Sequence, residues 1–409
     1  MLFAIALLLA SATLGFSSEQ LPLSTDHSSA VGTASDDAPS YRSELLSLHK
    51  SLVSIPSISG NENEVGNFVV KYLTEKGYGV NIQFVPKRNN TQADRERFNV
   101  VAWRGQGALR PKVLVTSHID VVPPHIPYAI DDGPVTKKTM IKGRGSVDAK
   151  GSVASMIVAL DELVNEDKVD GTDVMLLFVV GEEVAGDGMH YFSDSLAKMP
   201  HPPAFDAVIF GEPTENKLAC GHKGGVFCDL AARGFGGHSG YPWLGKSANE
   251  LMVRAMAKIY ATDLGSSELY GNTTVNLGRF NGGVASNVIA EHATAGIAVR
   301  VAIGPEKEGG AIVQQRIQDI LDEIDDEAFE FTCHQAYGAV DCDCDVEGFE
   351  TDTMNYGTDI PNLAGNHSRY LYGPGTILVA HGARENLTVG DLETAVEGFQ
   401  RLILHALEK

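Results

Sequence analysis

Apolar residues recur every three to four positions in YRSELLSLHKSLVSI and again in NENEVGNFVVKYLTEKG, a spacing that predicts two amphipathic helices, the second closed by a glycine. A turn rich in Ser, Pro and Gly separates them. The next apolar runs, VNIQFVP, NVVAWRG and KVLVTSHID, are short and rich in β-branched residues, as strands are. After GRGSVDAKGS the helical period returns in SVASMIVALDELVNE, and then come two strand segments, VMLLFVV and AVIFGEP, whose apolar runs have the length of buried strands. Strands alternating with helices predict an α/β layer with a largely parallel or mixed sheet. Functional groups should then collect at the strand ends.

The pattern changes over residues 223–335: a strand VFCDLAARG, a helix SANELMVRAMAKIY, strands TTVNLGRF and HATAGIAVRVAI, a helix GGAIVQQRIQDILDEI and a strand FEFTCH. This is the order of a small α+β sandwich, two helices on one face of an antiparallel sheet. It is expected to be an insertion dividing the α/β domain into residues 42–222 and 336–409, the second part ending in the amphipathic helix VGDLETAVEGFQRLILHALEK.

Upstream of residue 42 the pattern is of another kind. LFAIALLLASATLG is apolar for about one signal-peptide core, too short to span a bilayer, and small residues follow it, so residues 1–18 read as a cleaved secretory signal. Residues 19–41 are polar, rich in Ser, Thr and Asp, and read as a flexible leader. Four N-x-[ST] sequons, at Asn89, Asn272, Asn366 and Asn386, point to a secreted, extracellular glycoprotein.

Composition narrows the functional classes. With 32 basic and 53 acidic residues the 409-residue chain carries a formal charge of −21, which argues against nucleic acid or an anionic membrane surface as partner. The five cysteines, Cys220, Cys228, Cys333, Cys342 and Cys344, are an odd number for an oxidising compartment, so at least one lacks an internal partner. Cys333 with Cys342 or Cys344 would close a short loop, and Cys220 with Cys228 would join neighbouring strands; the spacing alone does not choose. CDCD has no second Cys or His pair at zinc-ligand spacing.

The predicted strand ends carry the chemistry. His118 ends KVLVTSHID, and Asp120, two residues on, is placed to hold the second imidazole nitrogen, as a metal-bound His requires. Asp148 lies at the start of a helix, where Asp is commonly a cap, but the glycines around it permit close backbone approach. Glu182 and Glu183 follow VMLLFVV, Glu212 follows AVIF, and His381 lies in GTILVAHGARE. Two histidines and three carboxylates suit a pair of divalent ions sharing one carboxylate. Side chains leaving a strand diverge, so one of the two adjacent glutamates can bind metal while the other faces the attacking water.

In this order HIDVVP, GRGSVDAKG, GEEVAG, GEPT, GGHSGYP and AHGARE resemble the motifs of the di-zinc metallopeptidase family that includes aminoacylases, acetylornithine deacetylases, succinyl-diaminopimelate desuccinylases and several carboxypeptidases. The resemblance covers roughly residues 42–409. It implies a di-zinc exopeptidase-like catalytic domain with an inserted lid or dimerisation domain, and two Zn2+ for which Mn2+ or Co2+ could substitute. It implies Asp148 as the bridging ligand, His118 and Glu212 completing one site, Glu183 and His381 the other, and Glu182 as general base. His238 of GGHSGYP would stabilise the oxyanion, in this family often across a homodimer; Asn287 and Arg300 would bind substrate near its carboxylate, and Gly357, Thr358 and Asp359 would line that end of the pocket. Where the family usually places Pro after Asn-Val-Ile, this chain has Ala290. The activity expected is hydrolysis, by a metal-activated water, of the amide beside a free carboxylate. The substrate would be a peptide, in a carboxypeptidase, or an N-acyl amino acid, in a deacylase; Arg300 and the insertion argue against an aminopeptidase. A secreted binding protein that keeps the fold without catalysis is the alternative of another class.

Overall fold

A computed structural model describes residues 38–105 and 110–409; the expected signal and nearly all of the leader lie outside the described residues. A nine-stranded sheet carries the strands Tyr78–Val85, Arg97–Arg104, Val174–Val179, Val113–His118, Ala207–Gly211, Ser368–Tyr372, Leu218–His222 and Val340–Asp341 in that spatial order, with Thr351–Met354 beside Leu218–His222. The four central strands, from Val174–Val179 to Ser368–Tyr372, run parallel, and the strands to either side are antiparallel to their neighbours at Arg97–Arg104 and Leu218–His222. Parallel strands buried on both faces account for the unbroken apolar runs in the sequence.

The pleat divides those runs between two cores. Val113, Val115, Leu176, Phe178, Ala207 and Ile209 face a layer built by the helices Arg42–Ser54, Asn63–Glu75, Lys150–Asn165 and Val389–Leu407. Leu114, Met175, Leu177, Val179, Val208 and Phe210 face the other way, against Met189 and Phe192 of the helix Asp187–Ala197. Each such side chain removed wholly from water contributes about 1.5 to 3 kcal/mol. The last helix starts on a reciprocal cap, Thr388 Oγ1 accepting from the Asp391 N–H while the Asp391 carboxylate accepts from the Thr388 N–H.

Residues 224–337 build a separate antiparallel sheet in the order Thr274–Gly282, His292–Val301, Gly224–Arg233, Phe329–Tyr337, with the helices Ala248–Ala261 and Glu306–Ile324 on one face and a core of its own. The disulfides join Cys228 to Cys333 within this sheet, and Cys220 of the larger sheet to Cys344 just beyond its edge strand Val340–Asp341, leaving Cys342 as the free thiol. Neither short-range pairing suggested by spacing forms, because sheet order brings together cysteines 105 and 124 residues apart. Among the described residues no helix is long and apolar enough to cross a membrane.

Candidate metal centre and active site

Five residues from five separated segments meet at the carboxyl ends of the parallel strands. His118 is the last residue of its strand, and Glu212 directly follows Ala207–Gly211. Glu183 lies in the four-residue helix Glu182–Ala185 that begins where the strand Val174–Val179 has ended. Asp148 lies just before the helix Lys150–Asn165, whose N-cap is Ala149, and its carboxylate faces the imidazoles of His118 and His381. His381 has a positive φ of 61°, a sparsely populated conformation for a non-glycine residue, which is typical of functional positions.

His118, Asp148 and Glu212 form one triad whose ligand atoms all lie within 4.8 Å of one another, and Asp148, Glu183 and His381 form a second. Asp148 belongs to both: its Oδ1 is 3.1 Å from His118 Nε2 and its Oδ2 is 3.2 Å from His381 Nε2. Glu212 Oε1 approaches His118 Nε2 to 3.8 Å, and Glu183 Oε2 lies 2.9 Å from His381 Nε2.

Electrostatics supply the test of fit for cations. Burial, then the neighbouring charge of Asp148, pushes Glu183 up to about 7, and burial pushes Glu212 up to about 7 as well. Asp148 is also buried, yet hydrogen bonds from His118 and His381 hold its carboxyl well below the usual range. Hydrogen bonds to Asp148 and Glu183 raise His381 to about 10, and Glu212 and Asp148 lift His118 against the opposing effect of burial. Three carboxylates packed around two imidazoles favour cations among them, and neutral imidazole and ionised carboxylate are the ligand forms. Glu183 Oε1 is buried without a hydrogen-bond partner, as expected of an oxygen reserved for an ion. The set fits two metal ions.

Glu182 belongs to neither triad but lines the same cavity, of about 490 Å³. Burial and then the charge of Glu212 raise its carboxyl well above the usual range. Asp120 holds this turn: its Oδ1 accepts the Glu182 N–H at 3.1 Å, its Oδ2 the Glu183 N–H at 3.3 Å, and Ser59 Oγ donates to Oδ2 at 2.6 Å. The expected hydrogen bond from Asp120 to His118 is made by its backbone carbonyl, 3.0 Å from Nδ1, while the carboxylate stands off at 3.6 Å. The carboxylate is already engaged by two backbone donors and a hydroxyl.

Arg300, Gly357, Thr358 and Asp359 line the cavity with Phe227, Tyr337 and Tyr356. The Arg300 guanidinium stacks 5.5 Å from the Phe227 ring centroid, and among the described residues no carboxylate pairs with it. A Cβ at Gly357 would meet Tyr337 Oη at 2.2 Å, so any side chain there would displace Tyr337. Thr358 Oγ1 is 3.0 Å from His222 Nε2. The structure does not bring His238 and Asn287 to this cavity within one chain. Both are exposed, on adjoining segments of the smaller sheet's rim where the Ser239 N–H donates to the Asn287 carbonyl at 3.1 Å.

Glu385 was not singled out by the sequence, although it ends the AHGARE motif. Its carboxylate accepts the N–H groups of Gly145, Val147 and Asp148 at 2.8, 3.1 and 3.3 Å and pairs with Arg144 at 2.6 Å, fixing the loop that presents Asp148, the carboxylate common to both triads. A buried acidic residue four positions past a proposed ligand was the available signal. Of the sequons, Asn89, Asn272 and Asn366 are exposed, whereas Asn386 is half-buried in the strand Asn386–Thr388 with its side-chain amide on the Arg384 carbonyl.

Comparison with known proteins agrees with this geometry. The family model described as peptidase family M20/M25/M40 matches residues 114–405. A peptidase M20 domain-containing protein of Sordaria macrospora is 55% identical over 406 residues, covering 94% of this chain and 90% of its own. A protein of Aspergillus oryzae named "probable carboxypeptidase" is 44% identical over 424 residues, covering 99% and 97%. Among solved structures a tripeptidase from Staphylococcus aureus superposes with a TM-score of 0.73 at 20% identity, covering 90% of this chain and 99% of its own, a likeness of fold. Five metal-ligand positions, a buried carboxylate beside them and the family match agree: this chain belongs to peptidase family M20/M25/M40, and it is a metallopeptidase.

Proposed function

We propose that the protein is a secreted exopeptidase of the carboxypeptidase type, acting on peptides that end in a free carboxylate. The observation that carries this reading is Arg300: an unpaired guanidinium facing the same cavity as both metal triads and Glu182. A planar guanidinium binds a carboxylate bidentately, which selects a terminal residue over an internal one. The relatives named as carboxypeptidases support it.

Divalent cations in the two triads, zinc by the ligand set, would polarise the scissile carbonyl and acidify a water. Glu182 takes the proton of the attacking water and returns it to the leaving amine. Asp120 holds Glu182 and Glu183 in their different directions through their backbone N–H groups. His238 would donate to the oxyanion only from a second copy of the chain, and the exposed Phe235, Tyr241, Trp243, Leu244 and Val284 around His238 and Asn287 are an apolar surface such a copy would cover. The exposed sequons and the apolar N-terminus support an extracellular glycoprotein.

Arg300→Ala tests the carboxylate end. Its kcat/KM should fall by at least tenfold more on peptides with a free C-terminus than on their C-terminal amides. An equal loss on both would place Arg300 in a structural role.

A further inference from the structure

The cavity over the metal triads shares two lining residues with a neighbouring groove. Val184 and His190, which stand on its rim, also line a second groove of about 780 Å³ that runs between the catalytic turn, the start of the helix Asp187–Ala197 and the loop after the strand Tyr78–Val85. The ion pair of Arg88 with Asp187, at 2.6 Å, forms part of its wall, and Tyr191 and Asn89 line it as well, so a peptide enters the groove only where the Asn89 sequon carries no glycan. Two apolar side chains in it are left open to solvent, Val184 at 52% and Tyr191 at 40% exposure. The groove contains none of Arg300, Gly357 or Thr358, so it is separate from the end proposed for the free carboxylate. Its volume is that of cavities that hold drug-sized ligands, roughly two or three amino-acid residues.

We propose that this groove is the binding site for the peptide chain on the N-terminal side of the scissile bond. Its substrates are then oligopeptides with an apolar residue next to the one released, in preference to N-acyl amino acids. A substrate held by its carboxylate at Arg300, with its scissile carbonyl at the triads, continues over Val184 and His190 into the groove. An apolar side chain there packs against Val184 and Tyr191, and the wall of charged groups stays solvated. This rests on the carboxypeptidase reading above for the direction of the chain, and supplies what that reading leaves open, the choice between peptide and N-acyl amino acid.

The test uses the metal-loaded enzyme and a series sharing one C-terminal residue: an N-acetyl amino acid, then N-acetylated di-, tri- and tetrapeptides with leucine next to the released residue. The kcat/KM should rise about tenfold as the leucine is added, the effect of covering about half of an aromatic side chain, and level off once the groove is full. Tyr191→Ala, a truncation at an exposed position, should flatten the series, lowering the ratio of peptide to N-acetyl amino acid about tenfold. A flat series in the unaltered enzyme, or an unchanged ratio in Tyr191→Ala, overturns the proposal. Calorimetric titration of Glu182→Gln with the same peptides separates the two readings. If no free-acid substrate is cleaved, the carboxypeptidase reading fails, while affinity that grows with length and is lost in Tyr191→Ala still supports the groove. Affinity independent of length overturns the groove whatever the chemistry.

Discussion

Exchanging the two adjacent glutamates for glutamine one at a time probes the division of labour on which the catalytic reading depends. Glu182 belongs to neither triad, whereas Glu183 contributes Oε2 at 2.9 Å from His381 and a buried, unpartnered Oε1. Glu182→Gln preserves the size of the side chain and the backbone N–H bonded to Asp120, and it leaves all five ligand positions untouched. Metal content should therefore stay at two equivalents for two triads. Removing a general base typically lowers the rate on the order of a hundred- to ten-thousandfold, which corresponds to about 3 to 5 kcal/mol of barrier. That loss should appear in kcat, with KM nearly unchanged, because Gln still fills the same space. Glu183→Gln removes an anionic ligand and leaves Asp148 and His381 as the only protein ligands of the second triad. Its metal affinity should fall by more than the ten- to hundredfold typical of losing a group that only supports a ligand, and excess metal should restore part of the activity. The assays are metal analysis after gel filtration and steady-state hydrolysis of a free-acid peptide with and without added zinc. Loss of metal in Glu182→Gln with retention in Glu183→Gln would exchange the two roles, and full activity in both would remove the chemistry from this site.

Chelation should abolish hydrolysis and stoichiometric zinc should restore it, while Asp148→Ala, which removes the one carboxylate common to both triads, should bind fewer than two ions; two equivalents bound by that variant would refute the bridging role. Burial pulls His49 and His222 down to about 4 from the ordinary 6.5, so between these values the unfolded chain takes up more protons and the fold loses stability as pH falls. Each histidine should account for about 3 kcal/mol by pH 4, and denaturant titrations of His49→Gln should show a shallower fall from pH 6.5 to 4; an identical slope would count against the assignment. Glu385→Gln breaks the buried pair with Arg144 beneath Asp148 and should cost about 3 to 5 kcal/mol of stability together with metal affinity, read from denaturation midpoints and zinc competition. Unchanged values for both would show that the Asp148 loop holds itself.

The sequence by itself determined the elements and the chemistry at their ends. The unbroken apolar run VMLLFVV is the strand Val174–Val179 because a strand buried on both faces has no polar alternation, and the 3.6-residue period of VGDLETAVEGFQRLILHALEK is the helix Val389–Leu407. The candidate ligands His118, Glu183 and Glu212 were legible because each lies at or just beyond such a run, and motifs shared with a known family ordered all five candidates. Less legible were the strands Leu218–His222, Thr351–Met354 and Ser368–Tyr372, which are short and mixed in pattern and take their form from neighbours in the large sheet. Only the tertiary structure decided which cysteines pair, that Glu385 supports the Asp148 loop across some 240 residues, that the Asp120 carboxylate grips the glutamate turn rather than His118, and that His238 and Asn287 stand away from the cavity of their own chain. The physical reason is one of range. A period of two or 3.6 is set by the geometry of a single element and is written along the chain, whereas these contacts depend on the order and register in which strands far apart in sequence are laid side by side.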